Sequence, residues 1–79
     1  MSMKEVSEAI KAKKAVFGIK QAIKHKKDLS AVFICKDTRD ATVDKLEESG
    51  IEFVVLKTKK EMAKELNLDF LSEVFSVRK

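Results

Sequence analysis

The sequence has no proline, only two glycines and a single cysteine in 79 residues. The scarcity of proline and glycine argues against a linker or a disordered tail, because segments unable to bury a core are usually rich in both. One cysteine cannot close an internal disulfide, which fits a reducing cytoplasm. No run of about 18 apolar residues is present, so no transmembrane span is expected. Residues 1–14 carry Lys4, Lys11, Lys13 and Lys14 without the apolar stretch that a signal peptide needs. A glycine-rich phosphate loop, a Cys/His cluster and a Ser/His/Asp set are also missing. The expectation is a non-enzyme with no metal and no cofactor. What is there is a chain with 44% apolar residues, enough for one small core. At this length a single domain is expected, close to the lower limit at which a core stabilises a fold unaided.

The net charge of +4 is unevenly placed. Residues 1–27 hold eight lysines and two glutamates, a balance of +6, while residues 28–79 carry −2. Between Lys11 and Lys27 lie seven lysines and no acid. One-sided charge of this kind marks a face for polyanions, although lysines can also simply solvate a small domain.

The lysine-rich stretch coincides with a structural junction. Ala15, Val16 and Phe17 read as a short buried strand, Gly18 interrupts it, and Ile19, Ala22 and Ile23 follow at helical spacing. A strand handed to a helix through glycine leaves the helix's first N–H groups unpaired and pointing outward. With the positive end of the helix dipole, those groups form an anion site. Lys20, Gln21 and Lys24 fall on the face opposite Ile19 and Ile23. Phosphate attraction and amide-type base reading thus come within about one and a half helical turns.

The remaining pattern places this junction in an α/β fold. Ser2 to Lys13 reads as a first helix, with a capping box at Ser2-Met3-Lys4-Glu5 and an apolar stripe of Met3, Val6 and Ile10. The helix after Gly18 is expected to fray in the lysines before Asp28. Leu29 to Cys35 is nearly all apolar, as in a central strand covered on both faces. A polar loop, Lys36 to Asp40, precedes a helix over Ala41–Ser49 that Gly50 stops. Ile51 to Leu56 reads as a third strand, and Thr58-Lys59-Lys60-Glu61 caps a helix carrying Met62, Ala63 and Leu66 inward. Asn67 reads as a left-handed stop. Leu68 to Val77 suggests a loop entering a last strand. The alternation predicts a three-layer α/β/α sandwich around a four-stranded mixed sheet.

Four further residues admit chemical readings. Cys35 ends an apolar strand with no partner at metal spacing, so it reads as a small buried hydrophobe. His25 stands among lysines and reads as solvated or phosphate-facing. Asp37 and Asp40 read as loop caps rather than a catalytic carboxylate pair.

Read together, these residues resemble the kink-turn-binding ribosomal protein family, the L-seven-Ae/L-thirty-e superfamily, and especially its small bacterial members. Its Gly-Thr-Asn-Glu or Gly-Thr-Lys-Gln motif and following lysine correspond to Gly18-Ile19-Lys20-Gln21 and Lys24. Ser49 to Val54 and Lys57 to Lys64 are similar to its third strand and next helix. The resemblance implies recognition of a kinked RNA internal loop with sheared G·A pairs. Lys20 and Gln21 would meet guanine edges, and Lys24 would meet phosphates. Gly18, Ile19, Asp37, Ser72 and Val74 would complete the RNA face, extended by Lys14 and Lys27 from the lysine run. It also implies structured ribosomal or regulatory RNA as partner, a monomer and a cytoplasmic location.

The sequence departs from the family at Ile19, where the motif carries threonine, and in the last loop, Asp69 to Val74. There Glu73 is expected to set a carboxylate near phosphates, so that Glu73→Ala would tighten binding at low salt. Pairing of Glu73 with a lysine such as Lys64 would instead leave affinity unchanged. Two rival functions fit the same sequence. One is a protein-interaction domain using Phe70, Leu71, Val74 and Phe75; the other is a non-specific polyanion binder with steep salt dependence.

Overall fold

A computed structural model describes residues 2–79, with side chains described from Lys4 onward. The capping box expected at Ser2 and the place of Met3 on the first apolar stripe lie outside the described side chains. In chain order the elements are α1 (Ser2–Lys11), β1 (Ala15–Phe17), α2 (Ile19–Lys24), a 3-10 turn (Lys26–Asp28) and β2 (Leu29–Ile34). They continue with α3 (Asp40–Glu48), β3 (Val54–Val55), α4 (Lys59–Leu66) and β4 (Val74–Arg78). The strands form one four-stranded sheet in the order β1-β4-β2-β3. β4 runs antiparallel to both β1 and β2, and β3 runs parallel to β2. The sheet is therefore mixed, as the alternation of elements predicts.

Period-two alternation along the two central strands builds a core on each face. Phe33 and Cys35, with Phe75 of β4, pack with Val6 of α1 and Met62 of α4. Val32 and Ile34, with Val74 of β4, pack with Ala22 of α2 and Leu46 of α3. Helices thus cover both faces, giving the three expected layers. Each fully buried side chain of this size contributes about 1.5–3 kcal/mol. The exposed Val54 and Val55 of β3 gain little of this, so the β4–β2 pair carries the fold.

Helix ends explain most departures from the expected boundaries. The first helix stops at Lys11 rather than Lys13, because Lys13 turns left-handed at φ 59°. The N–H groups of Lys13 and Lys14 then bond back to Ile10 and Ala9. Gly50 (φ 70°) and Asn67 (φ 56°) close α3 and α4 with the same paired bonds. Thr58 accepts from the Glu61 N–H while Glu61 accepts from the Thr58 N–H, the expected capping box. The third strand is shorter than Ile51–Leu56. Ile51 closes α3 by donating to Leu46 and, with Phe53, packs on the α2/α3 core, leaving two ladder residues at the sheet edge.

Strand registry decides which loops meet. Phe17 pairs with Phe75, and Ile34 pairs with Val74. The end of β1, the end of β2 and the start of β4 therefore share one edge of the sheet. Ala15 pairs with Val77 and Leu29 with Arg78 at the opposite edge.

Candidate functional site

At the first of those edges an open cleft of about 680 Å³ is lined by Phe17 to Gln21, Leu71 to Glu73, Arg39 and Lys59. Gly18 makes the turn into it. The Gly18 N–H still donates to Val74 at 2.9 Å, finishing the β1–β4 ladder, and its carbonyl accepts from Ala22 at 3.2 Å, starting α2. The backbone there, at φ 90° and ψ 161°, lies in a region essentially confined to glycine. No side chain caps α2, so the N–H groups of Ile19, Lys20 and Gln21 have no intrahelical acceptor. Ala22 is buried and Ile19 packs on the core, which leaves Lys20 and Gln21 exposed as the stripe predicts. Only six residues long, α2 sums few peptide dipoles. Free N–H groups and lysines, rather than a macrodipole, supply its attraction for anions.

The opposite wall is built around Glu73. Its carboxylate accepts from the Arg39 N–H at 2.9 Å, from Arg39 Nε at 3.1 and 3.2 Å, and from Arg39 Nη2 at 3.1 Å. Thr42 Oγ1 donates to it at 3.0 Å, and Lys59 Nζ lies 3.8 Å away. Burial would raise the Glu73 pKa, but the hydrogen bonds from Arg39 and Thr42 outweigh burial and hold it below the ordinary glutamate value. Of the two expectations for Glu73, the free carboxylate facing phosphates is overturned and the ion-paired carboxylate is found. Glu73 is ion-paired, and its partners are Arg39 and Lys59 rather than Lys64.

The loop carrying Glu73 is pinned from behind. Cys35 Sγ–H donates to the Ser72 carbonyl at 3.1 Å, and the Cys35 N–H donates to the Glu73 carbonyl at 2.9 Å. Burial, followed by the nearby Asp37 charge, pushes the Cys35 thiol up to about 11. Cys35 is thus the buried small side chain that the sequence suggests, and it has a positional role in the cleft wall.

Of the residues expected on the RNA face, Gly18, Ile19, Lys20, Gln21 and Ser72 meet in the cleft. Lys24 is exposed one turn beyond Lys20 on the same side of α2. The other four are not brought there. Val74 is fully buried in the α2/α3 core, so its side chain cannot touch a ligand. Asp37 lies outside the lining and accepts from the Lys59 N–H at 2.9 Å, capping α4 as a loop acid. Lys14 and Lys27 flank the starts of β1 and β2, at the opposite edge of the sheet.

Arg39 and Lys59 join the cleft without having been singled out as site residues by the sequence pattern, and Leu71, expected only on a protein-interaction surface, joins them. A signal for the first two exists. They follow β2 and β3, the parallel strands, at the carboxyl ends where open α/β sheets gather ligands. The apolar segment of the last loop divides: Val74 and Phe75 are buried, whereas Phe70 and Leu71 are 44% and 57% exposed. Phe70 leans edge-on against Phe17, with ring centres 5.1 Å apart.

No protein-family model matches the chain, and no curated protein matches it. Among solved structures, the 15.5kD RNA binding protein of Giardia lamblia superposes with a TM-score of 0.75. The two are 19% identical, over 98% of this chain and 70% of that one. A protein of unknown function from Bacillus halodurans superposes with a TM-score of 0.78 at 17% identity, over 98% of this chain and 83% of its own. At such identities the likeness is one of fold, and one protein with this fold binds RNA.

Proposed function

We propose that this chain is a non-catalytic, cytoplasmic RNA-binding protein of the kink-turn type, receiving a splayed internal loop in the cleft. The observation that carries the reading is the convergence of Gly18–Gln21, Arg39, Lys59 and Leu71 around one open cleft. An A-form duplex hides its base edges from side chains, whereas a splayed loop exposes them. The Gln21 amide can donate to and accept from such an edge. Lys20 stands beside Gln21 for the same edges, Lys24 and Lys59 answer the phosphates, Arg39 adds a cation to the wall, and the exposed Leu71 offers an apolar seat to an unstacked base. The fold shared with an RNA-binding protein adds support. Membership of the kink-turn-binding family, a ribosomal or regulatory RNA target and a monomeric state belong to the same proposal.

The test compares two variants on two RNAs. Gln21→Ala should cost about 1–3 kcal/mol on a kinked RNA and little on a control duplex. Lys24→Ala should weaken both RNAs alike and flatten the dependence on salt. Equal effects of both variants on both RNAs would leave only non-specific polyanion binding.

Exposure of Phe70 and Leu71 favours a second reading, a protein-interaction surface on the same fold. It requires that the chain ignore kinked RNA at every salt concentration.

A further inference from the structure

The cleft contains one feature that charge counting would call unfavourable, the carboxylate of Glu73. We propose that Glu73 is a positioning residue that holds one edge of Arg39, so that the other edge presents a forked pair of donors to RNA. This inference rests on the RNA-binding reading and deepens it.

The geometry is asymmetric in the way such a device requires. Arg39 spends Nε–H and one Nη2–H on Glu73, at 3.1–3.2 Å. A guanidinium carries five N–H donors in one plane, so both Nη1 donors and the second Nη2 donor remain on the far edge. The Arg39 side chain is 74% exposed and the Glu73 side chain 14%. The carboxylate therefore stands behind and the guanidinium in front. Thr42, Lys59 and the Arg39 N–H occupy the remaining carboxylate sites, so little free negative charge is left to meet a phosphate. An arginine ordered before binding also forfeits less rotamer freedom when the ligand arrives.

The free edge fits a planar pair of acceptors. Two sources in RNA share that chemistry: the two non-bridging oxygens of a phosphodiester, and O6 with N7 of guanine. Lysine in the same place would keep the charge and lose the fork.

The experiment titrates one labelled kink-turn RNA, and the same duplex with its G·A pairs replaced, with the wild-type chain, Glu73→Gln and Arg39→Lys at two salt concentrations, each first shown to be folded by circular dichroism. If Glu73 merely repelled phosphate, Glu73→Gln would bind more tightly, most of all at low salt. The proposal requires the opposite sign. Glu73→Gln and Arg39→Lys should each weaken binding about tenfold, as expected for loss of a charge-assisted hydrogen bond. The double variant should be no worse than Arg39→Lys alone. RNAs carrying methylphosphonate linkages or 7-deazaguanine separate the two acceptor sources. The modification that removes Arg39's partner should weaken the wild type clearly more than Arg39→Lys, which keeps the charge but has no fork to lose.

Wild-type affinity for Arg39→Lys, or equal or tighter binding by Glu73→Gln, overturns the inference while the kinked-RNA reading stands. Failure of the wild type to prefer kinked RNA overturns both. Glu73 also satisfies the start of α3, so if Glu73→Gln does not fold, the exposed Arg39→Lys and the modified RNAs decide.

Discussion

Glu73 and Arg39 form the pair on which most of the cleft's electrostatics turns. An exposed ion pair is worth about 0–1 kcal/mol, but this carboxylate also accepts from the Arg39 N–H and from Thr42, and it is largely covered. Its native pKa is held low because these bonds outweigh the opposing effect of burial. A depressed carboxylate contributes stability that is fully present above the unfolded-state pKa, near 4.3, and lost as pH falls through the native value. The stability gap between the wild type and Glu73→Gln in urea should therefore be largest at neutral pH and close in acid. A gap independent of pH would contradict this. None of it is legible locally, because Arg39 and Glu73 stand 34 residues apart. A contact made only by folding leaves no periodic trace, which is why the sequence names neither Arg39 nor Lys59 as the partner of Glu73. Gln21 and Lys20 are the reverse case: their exposure follows from the spacing of Ile19, Ala22 and Ile23 alone.

At the scale of elements, three helices end in the same left-handed closure, at Lys13, Gly50 and Asn67. Glycine and asparagine announce such an end in the sequence, and lysine does not, so the first helix reads two residues too long. The same conformational preference gives a matched prediction of opposite signs. Lys13→Gly relieves a strained φ of 59° and should stabilise by about 0.5–1 kcal/mol, net of glycine's greater unfolded-state freedom. Gly18→Ala meets no atom within 4 Å, yet at φ 90° it should cost about 1–3 kcal/mol through backbone strain alone. Urea midpoints at constant slope measure both. A shift of the same sign in the two variants would rule out backbone conformation as the cause. The third strand shows a second kind of limit. Ile51 to Leu56 is apolar enough for a full strand, but Ile51 and Phe53 are drawn into the core and only Val54 and Val55 pair.

For the whole molecule, the layered α/β architecture is readable from alternating apolar runs and caps, whereas the strand order is not. Placing β4 between β1 and β2 brings residues 18–21, 39, 59 and 71–73 to one edge of the sheet. The same order sends Lys14 and Lys27 to the other edge, although in sequence they belong to the same lysine run as Lys20 and Lys24. Sequence proximity therefore overstates the lysine face, and topology supplies its true partners, Arg39 and Lys59. On the proposed function, this assembled cleft reads the shape of a kinked RNA and not merely its charge. That discrimination is tested by comparing affinity for a kink-turn RNA with affinity for the same duplex whose G·A pairs are replaced by Watson–Crick pairs. The expected result is a preference of about tenfold or more for the kinked RNA, equivalent to at least one base-edge contact, persisting as salt rises. Equal affinities with parallel salt slopes would contradict it.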